Sequence, residues 1–157
     1  MSKPEFVYVT FIKTTPETLW HALTDRAFTE RYWYGCSLTS DWTAGAPMRM
    51  EKAGRIVNEG VVLESDPPRK LSYSWVSVYD EEMRKEPPSR VTYLLEPSHG
   101  AVKLTVIHEG FAEHSRTLPD ISTGWPMVLS SLKSILETGQ PLSFAPPPHA
   151  AAEAAHP

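Results

Sequence analysis

The sequence predicts an α+β domain in which a curved antiparallel sheet of about six or seven strands packs against one long carboxy-terminal helix. In Val91–Glu96 and Val102–Glu109 every second residue is apolar, as in strands with one buried face. Ser98–Gly100 between them is typical of a tight turn. In Gly124–Gly139 apolar residues recur every three or four positions, which indicates an amphipathic helix. A helix that follows such strands is expected to pack across the sheet.

The amino-terminal part of the chain predicts a first strand followed by two short helices. Glu5–Lys13 is rich in β-branched and aromatic residues, which favours a strand. Thr14–Pro16 then favours a helix start, because proline suits the first helical turn. Thr24 and Asp25 can cap a second short helix that runs through Tyr32.

Three further strands are expected in the middle of the chain, separated by turns that contain glycine or proline. They are Pro47–Glu51, Arg55–Ser65 and Lys70–Val78. Asp80–Ser89 is charged and contains proline, so it is expected to form a surface loop. Phe111–Thr123 is expected to connect the last strand to the long helix and to border the mouth of any cavity beneath it.

The length of 157 residues fits one domain, which we expect to span residues 1–142. From Phe144 onward the sequence reads APPPHAAAEAAHP, with no apolar side chain larger than alanine to anchor it. Residues 143–157 are therefore expected to form a disordered tail rich in proline and alanine.

Charge and cysteine content restrict the partners and the compartment. The net charge is −4, and the 15 lysines and arginines are scattered singly, so neither nucleic acid nor an anionic membrane is an expected partner. The single cysteine, Cys36, excludes an internal disulfide. The first residues lack a signal-peptide pattern, and no apolar run approaches the ~20 residues needed to span a bilayer. We expect a cytoplasmic protein without membrane insertion.

Several short segments of the sequence resemble those of a known protein superfamily. They are Thr15–Asp25, Gly60–Leu71, Arg90–Tyr93, His108–Phe111 and Gly124-Trp125, followed by Leu129, Leu132 and Leu136–Gly139. In this order, and over nearly the whole chain, they resemble the START/SRPBCC helix-grip superfamily, in the branch of homologues of the activator of the heat-shock protein 90 ATPase. The resemblance implies fold more than activity, because the superfamily contains lipid carriers, cyclases and hydrolase-like proteins.

Motifs of catalysis are absent from the sequence. It contains no serine nucleophile elbow, no phosphate-binding loop, no dinucleotide fingerprint and no HExxH or CxxC pair. His21, Cys36, Asp41 and His114 lack the spacing of metal ligands. We therefore expect neither a metal nor a cofactor.

His108 is the candidate for polar chemistry. Strand alternation places it on the same face as Leu104 and Val106, toward the concave side of the sheet, where burial favours the neutral imidazole. A neutral imidazole can anchor a ligand or act as a general base. The alternative is a core histidine bonded to the backbone or to Tyr93.

A set of mostly apolar residues from the sheet and the long helix is expected to line a ligand pocket. They are Trp33, Tyr73, Trp75, Tyr93, Val106, His108, Trp125, Leu129 and Leu132. The alternative for the aromatic residues is ordinary core packing.

Three functions are consistent with these features. The leading hypothesis is binding of a small apolar or amphipathic ligand, such as a lipid, a sterol or a polyketide-like molecule, without transforming it. The second is a cyclase- or hydrolase-like reaction on an aromatic or polyketide-like substrate, with His108 as acid–base. The third is stimulation of a chaperone ATPase through a surface contact. A second copy of the chain, paired with the first as a homodimer, is a further candidate partner.

Overall fold

A computed structural model describes residues 4–142 of the chain. Its elements are β1 (Phe6–Ile12), α1 (Pro16–Thr24), α2 (Arg26–Tyr32), β2 (Ser37–Ser40), β3 (Pro47–Lys52), β4 (Arg55–Asp66), β5 (Lys70–Ser77), α3 (Glu81–Arg84), β6 (Ser89–Ser98), β7 (Ala101–Glu109) and α4 (Thr117–Thr138). The α+β class, the two short helices and the long last helix are confirmed. The tail expected at residues 143–157 lies outside the described residues.

The seven strands form one antiparallel sheet in the order β1-β7-β6-β5-β4-β3-β2, so β1 and β2 are its edges. Strands β6 and β7 form a hairpin whose turn residues, His99 and Gly100, have φ angles of 48° and 81°. Two positive φ angles are what a tight hairpin turn requires. Register shifts in β3 and β4 mark bulges, which bend and twist a sheet. The resulting curvature lets the sheet wrap around α4.

The long helix begins at Thr117, and the prediction that it starts at Gly124 was wrong. Gly124 and Pro126 resemble helix boundaries, but both lie inside α4. The helix starts after Ser115, whose hydroxyl oxygen accepts hydrogen bonds from the backbone N–H groups of Thr117 (3.1 Å) and Leu118 (3.2 Å). This cap satisfies donors that have no partner within the helix. The connection after β7 is therefore shorter than expected.

The sequence analysis does not predict two short elements, β2 and α3. β2 is a strand of four mostly polar residues, and its backbone is held by the hydrogen bond from the Leu38 N–H to Oγ1 of Thr29 (3.1 Å) and by pairing with β3. α3 lies in the segment expected to be a loop. It forms because the Asp80 carboxylate accepts bonds from the N–H groups of Glu82 (2.9 Å) and Met83 (3.0 Å).

The apolar side of α4 packs across the concave face of the sheet. Its buried apolar residues are Ile121, Trp125, Val128, Leu129, Leu132 and Ile135. The carboxy-terminal end is fixed to the edge strand, because Lys133 donates to the backbone oxygen of Phe11 and Glu137 accepts from the N–H of Lys13 (2.8 Å). Neither α4 nor another helix within residues 4–142 is long and apolar enough to cross a membrane.

Candidate functional site

A cavity of about 150 Å³ lies between the amino-terminal half of α4 and strands β3 to β5. Its wall is formed by Asp120, Ile121, Gly124, Trp125 and Val128 of the helix, by Met50, Lys52, Val57, Asn58 and Trp75 of the sheet, and by Trp33, Cys36 and Tyr79 of the connecting segments. The cavity opens to the surface on one side. It is the gap expected where a curved sheet closes over a single helix.

The local sequence explains why these side chains face the cavity. On α4, positions 121, 124, 125 and 128 recur at helical spacing and therefore share one face. Met50 and Lys52 are two residues apart on β3 and so point to the same side of the sheet. Gly124 has no side chain, and a Cβ atom added there would meet nothing within 4 Å. The missing side chain leaves part of the space open.

Three indole rings form the aromatic part of the cavity wall. The ring centroids of Trp33 and Trp125 are 5.3 Å apart, those of Trp75 and Trp125 are 6.0 Å apart, and those of Trp33 and Trp75 are 6.4 Å apart. These are the separations of aromatic rings in favourable contact. Each of the three rings therefore packs against the other two.

Polar groups interrupt this wall. Nδ2 of Asn58 donates to Sδ of Met50 at 3.2 Å, whereas Oδ1 of Asn58 is buried and has no hydrogen-bond partner among the described residues. At the rim, the Tyr79 hydroxyl donates to Oδ2 of Asp120. Burial, together with the Asp120 carboxylate, raises the pKa of Tyr79. The Tyr79 hydroxyl thus remains a neutral donor.

Cys36 and Lys52 add a thiol and a positive charge to the wall. Burial raises the pKa of the Cys36 thiol, and the charge of Lys52 lowers it in part. The thiol is therefore held in its protonated, weakly reactive form.

His108 is bonded on both ring nitrogens and does not line the cavity. Nδ1 accepts from the indole N–H of Trp125 at 3.1 Å. Because an indole N–H can only donate, Nδ1 carries no proton, and Nε2 donates to the hydroxyl of Ser89 at 2.7 Å. Ser89 in turn donates to the backbone oxygen of Trp75 at 3.3 Å. This chain of hydrogen bonds fixes the neutral tautomer.

The surroundings of His108 in the structure correspond to the core-histidine alternative. The residue is a core histidine, but its partners are Ser89 and Trp125 instead of Tyr93, whose hydroxyl is paired with that of Tyr73 at 2.7 Å. Burial lowers the pKa of His108 from 6.5 to about 3. A general base needs an accessible nitrogen and a pKa near the working pH. Both ring nitrogens of His108 are engaged in this structure, and the bond to Trp125 orients the indole.

The residues expected to line the pocket fall into two groups. Trp33, Trp75 and Trp125 line the cavity. The others pack in the core beyond it and are at most 1% exposed; they are Tyr73, Tyr93, Val106, His108, Leu129 and Leu132. Asn58, Met50, Tyr79 and Asp120 line the cavity without having been singled out from the sequence.

The rim beside Tyr79 is tied to the start of α4 by charged side chains. The Glu86 carboxylate accepts from the Ser115 hydroxyl (2.6 Å) and from the backbone N–H of Arg116 (3.1 Å). Arg116 also pairs with Asp80 at 3.4 Å. Together with the bond between Tyr79 and Asp120, these contacts hold the α3 segment against the helix. Within residues 4–142 no three His, Cys, Asp or Glu side chains converge as a metal site requires.

A curved antiparallel sheet that wraps around one long helix, with a cavity between the sheet and the helix, defines the helix-grip class of proteins. A family model described as "Activator of Hsp90 ATPase homolog 1-like protein" matches residues 13–137. The chain therefore belongs to this family, as the resemblance in the sequence implied. No curated protein matches the sequence significantly.

Solved structures of similar fold support this assignment. A crystal structure of a protein from Mesorhizobium loti is 25% identical, with a TM-score of 0.72 over 85% of this chain and 96% of that chain. The Aha1 dimer from Colwellia psychrerythraea is 19% identical, with a TM-score of 0.71 over 87% and 98%. An HSP90 activator from Plasmodium falciparum is 22% identical, with a TM-score of 0.70 over 84% and 95%. At such identities the likeness concerns the fold.

Proposed function

We propose that the protein binds a small, mostly apolar molecule with one aromatic ring in the cavity between α4 and the sheet. The observation that carries this proposal is the wall of three mutually packed indoles around about 150 Å³ of space. A ring placed there would gain contacts of about 0.5–1.5 kcal/mol per aromatic pair in addition to its burial. Because the wall is already formed, little ordering would oppose binding.

The size of the cavity narrows the ligand classes that the sequence left open. An apolar cavity of roughly 150 Å³ can hold a molecule the size of benzene, whereas sites for drug-sized ligands measure about 300–1,000 Å³. A sterol or an extended lipid exceeds the volume of this cavity. A polyketide-like ligand could place one ring inside the cavity, and the rest of the molecule would then extend out of it beside Tyr79 and Asp120.

Substitution of Gly124 tests this proposal. A leucine at this position would project into the cavity, so Gly124→Leu should abolish binding of single-ring aromatics while improving helix propensity. Thr123→Leu, on the exposed side of the same turn, is the matched control and should bind like the wild type. Binding can be followed by ¹⁹F NMR of 4-fluorotoluene and 4-fluorophenol, with thermal unfolding to confirm that each variant folds.

Two results would contradict the cavity proposal. One is that the wild-type protein binds neither fluorinated ring at millimolar concentration. The other is that Gly124→Leu binds as well as Thr123→Leu, which would place the ligand elsewhere. Native mass spectrometry of the purified protein would add the identity of any compound that remains bound.

A catalytic role for His108 is the less favoured alternative. Both of its ring nitrogens are engaged, by Ser89 and Trp125, and burial keeps its pKa at about 3. A substrate in the cavity would meet the Trp125 indole before it met the imidazole.

A second candidate function is contact with another protein, and it rests on strand β1. Val7, Val9 and Phe11 alternate along this edge strand, and each is about half exposed (49%, 46% and 50%). Exposed apolar residues in a row favour a protein contact. A second copy of the chain or a chaperone could cover them, as the Aha1 dimer and the HSP90 activator among the similar structures suggest.

Charge substitution on β1 tests this second candidate. Val9→Lys should abolish self-association in sedimentation equilibrium, or stimulation of a chaperone ATPase, if β1 carries the contact. Val61→Lys, at a similarly exposed position on β4, is the control and should have no effect. If the wild-type protein is a monomer and leaves the rate of the chaperone ATPase unchanged, both a second copy of the chain and a chaperone are ruled out as partners.

A further inference from the structure

Asn58 is a polar residue of the cavity wall whose hydrogen bonding is incomplete. It is 4% exposed and lies opposite Met50 in the pairing of β4 with β3. Its Nδ2 donates to the Met50 sulfur at 3.2 Å, and its Oδ1 has no partner among the described residues. A buried carbonyl oxygen without a donor is unfavourable, so a donor brought beside it would be held strongly.

The orientation of the amide follows from the chemistry of the sulfur. A thioether can accept a hydrogen bond and cannot donate one, so the amide nitrogen faces Met50 and the oxygen faces away from it. The bond to sulfur is weak, and the χ2 torsion of asparagine is soft. Asn58 lines the cavity, but its Oδ1 is closed off from it in this conformation. Rotation about χ2, which gives up only the weak contact with sulfur, is the movement that would present Oδ1 to a ligand.

Resting on the proposed function, we infer that Asn58 determines which rings the cavity accepts. Its Oδ1 accepts a hydrogen bond from a hydroxyl group on the bound ring, so the protein prefers phenols to hydrocarbon rings of the same size.

The rest of the wall favours this assignment. Val57, Trp33 and Trp75 offer a ring hydroxyl no acceptor through their side chains. At the rim the Asp120 carboxylate accepts from Tyr79 and keeps further acceptor capacity, so a preference for phenols that survives in Asn58→Leu would point to Asp120. A phenol at neutral pH carries its proton, because the pKa of such a hydroxyl is near 10. A phenol that entered without reaching Asn58 would lose its bonds to water, whereas one that reaches it replaces them.

The test compares rings of similar size that differ in their hydrogen-bond donor. The wild-type protein is titrated with 4-fluorophenol, 4-fluorotoluene and 4-fluoroanisole and followed by ¹⁹F NMR. We expect the phenol to bind about tenfold more tightly than the other two, which is the usual effect of one hydrogen bond to a buried acceptor. In Asn58→Leu, which removes the acceptor and keeps a similar shape, this preference should disappear while 4-fluorotoluene still binds.

Each outcome bears on a different statement. Equal affinities for the three rings in the wild-type protein, or a preference that survives in Asn58→Leu, would overturn the role of Asn58 and leave the cavity proposal standing. Binding of none of them would overturn the cavity proposal and this inference with it. The wild-type comparison of phenol with anisole requires no variant, so equal affinities would overturn the inference even if Asn58→Leu fails to fold.

Discussion

The hydroxyl groups of Tyr73 and Tyr93 lie 2.7 Å apart in the core, where one donates a hydrogen bond to the other. Burial raises the pKa of both groups, so both remain neutral. The Tyr32 hydroxyl is buried too, but it has no hydrogen-bond partner among the described residues. The core therefore contains tyrosines that differ in whether their polar atom is satisfied, and this difference has measurable consequences.

Removal of the Tyr73 hydroxyl should destabilise the protein, whereas removal of the Tyr32 hydroxyl should not. Tyr73→Phe leaves the Tyr93 hydroxyl buried and unpaired, so the free energy of unfolding should fall by about 1–3 kcal/mol. Tyr32→Phe removes a hydroxyl that lacks a partner, so stability should be unchanged or slightly higher. Urea unfolding of the two variants measures both values. Equal destabilisation would show that the Tyr32 hydroxyl is satisfied in solution.

The buried imidazole of His108 should make the protein sensitive to acid. Its pKa is about 3 in the folded protein, against about 6.5 in an unfolded chain. Below pH 6.5 the unfolded chain therefore binds a proton that the folded protein does not. The free energy of unfolding should fall as the pH drops from 6.5 toward 3 and should be independent of this group above 6.5. At pH 5 the loss amounts to about 2 kcal/mol.

Comparison of two histidine variants isolates this contribution. His108→Gln should be less stable than the wild type at pH 7, because a buried hydrogen-bonded ring is lost, but it should lose about 2 kcal/mol less between pH 7 and pH 5. His114→Gln is the control, since the His114 side chain is 91% exposed. Urea unfolding at both pH values gives the difference. Identical pH dependence of wild type and His108→Gln would mean that His108 titrates normally in the folded protein.

The strands other than β2 were predictable because each has one buried face. The predicted strand Val102–Glu109 differs from β7 by one residue, and the predicted Arg55–Ser65 differs from β4 by one residue. The start of α4 was not predictable from periodicity, because Gly124 and Pro126 are residues that usually end helices. The helix tolerates Gly124 and Pro126 because it packs against the sheet. That tertiary contact cannot be inferred from the local sequence pattern.

The site was predictable only in part. Alternation and helical spacing place Trp75 and Trp125 on the concave side, but they do not tell whether a side chain there meets open space or another side chain. Tyr93 and Leu132 share those faces and are packed in the core. The role of Asn58 depends on Met50 across a strand pair, and that register is a property of the folded sheet.

Gly60 should be irreplaceable for a reason unrelated to its φ angle. A Cβ atom at this position would lie 1.8 Å from the backbone oxygen of Ser74, because β4 and β5 approach closely beside the bulge in β4. Gly60→Ala should therefore lower the free energy of unfolding by about 3 kcal/mol or more, since backbone must move. Gly124→Ala is the control, because its Cβ meets no atom within 4 Å, and it should gain about 0.5–1 kcal/mol. Thermal or urea unfolding that ranks the two variants otherwise would refute the close approach.

The contact of Glu86 with the start of α4 should control local opening at the cavity rim. Its carboxylate accepts from both the Ser115 hydroxyl and the Arg116 N–H, and a glutamine has a single acceptor oxygen for these two donors. In Glu86→Gln, hydrogen exchange in the first turn of α4 should be about fivefold faster, as expected when one hydrogen bond of roughly 1 kcal/mol is lost. Glu82→Gln, which alters an exposed carboxylate of the same segment, should leave that exchange unchanged. If the rim admits the proposed ligand, Glu86→Gln should also shorten the residence time of 4-fluorophenol. Unchanged exchange in α4 would show that Glu86 does not hold the helix start.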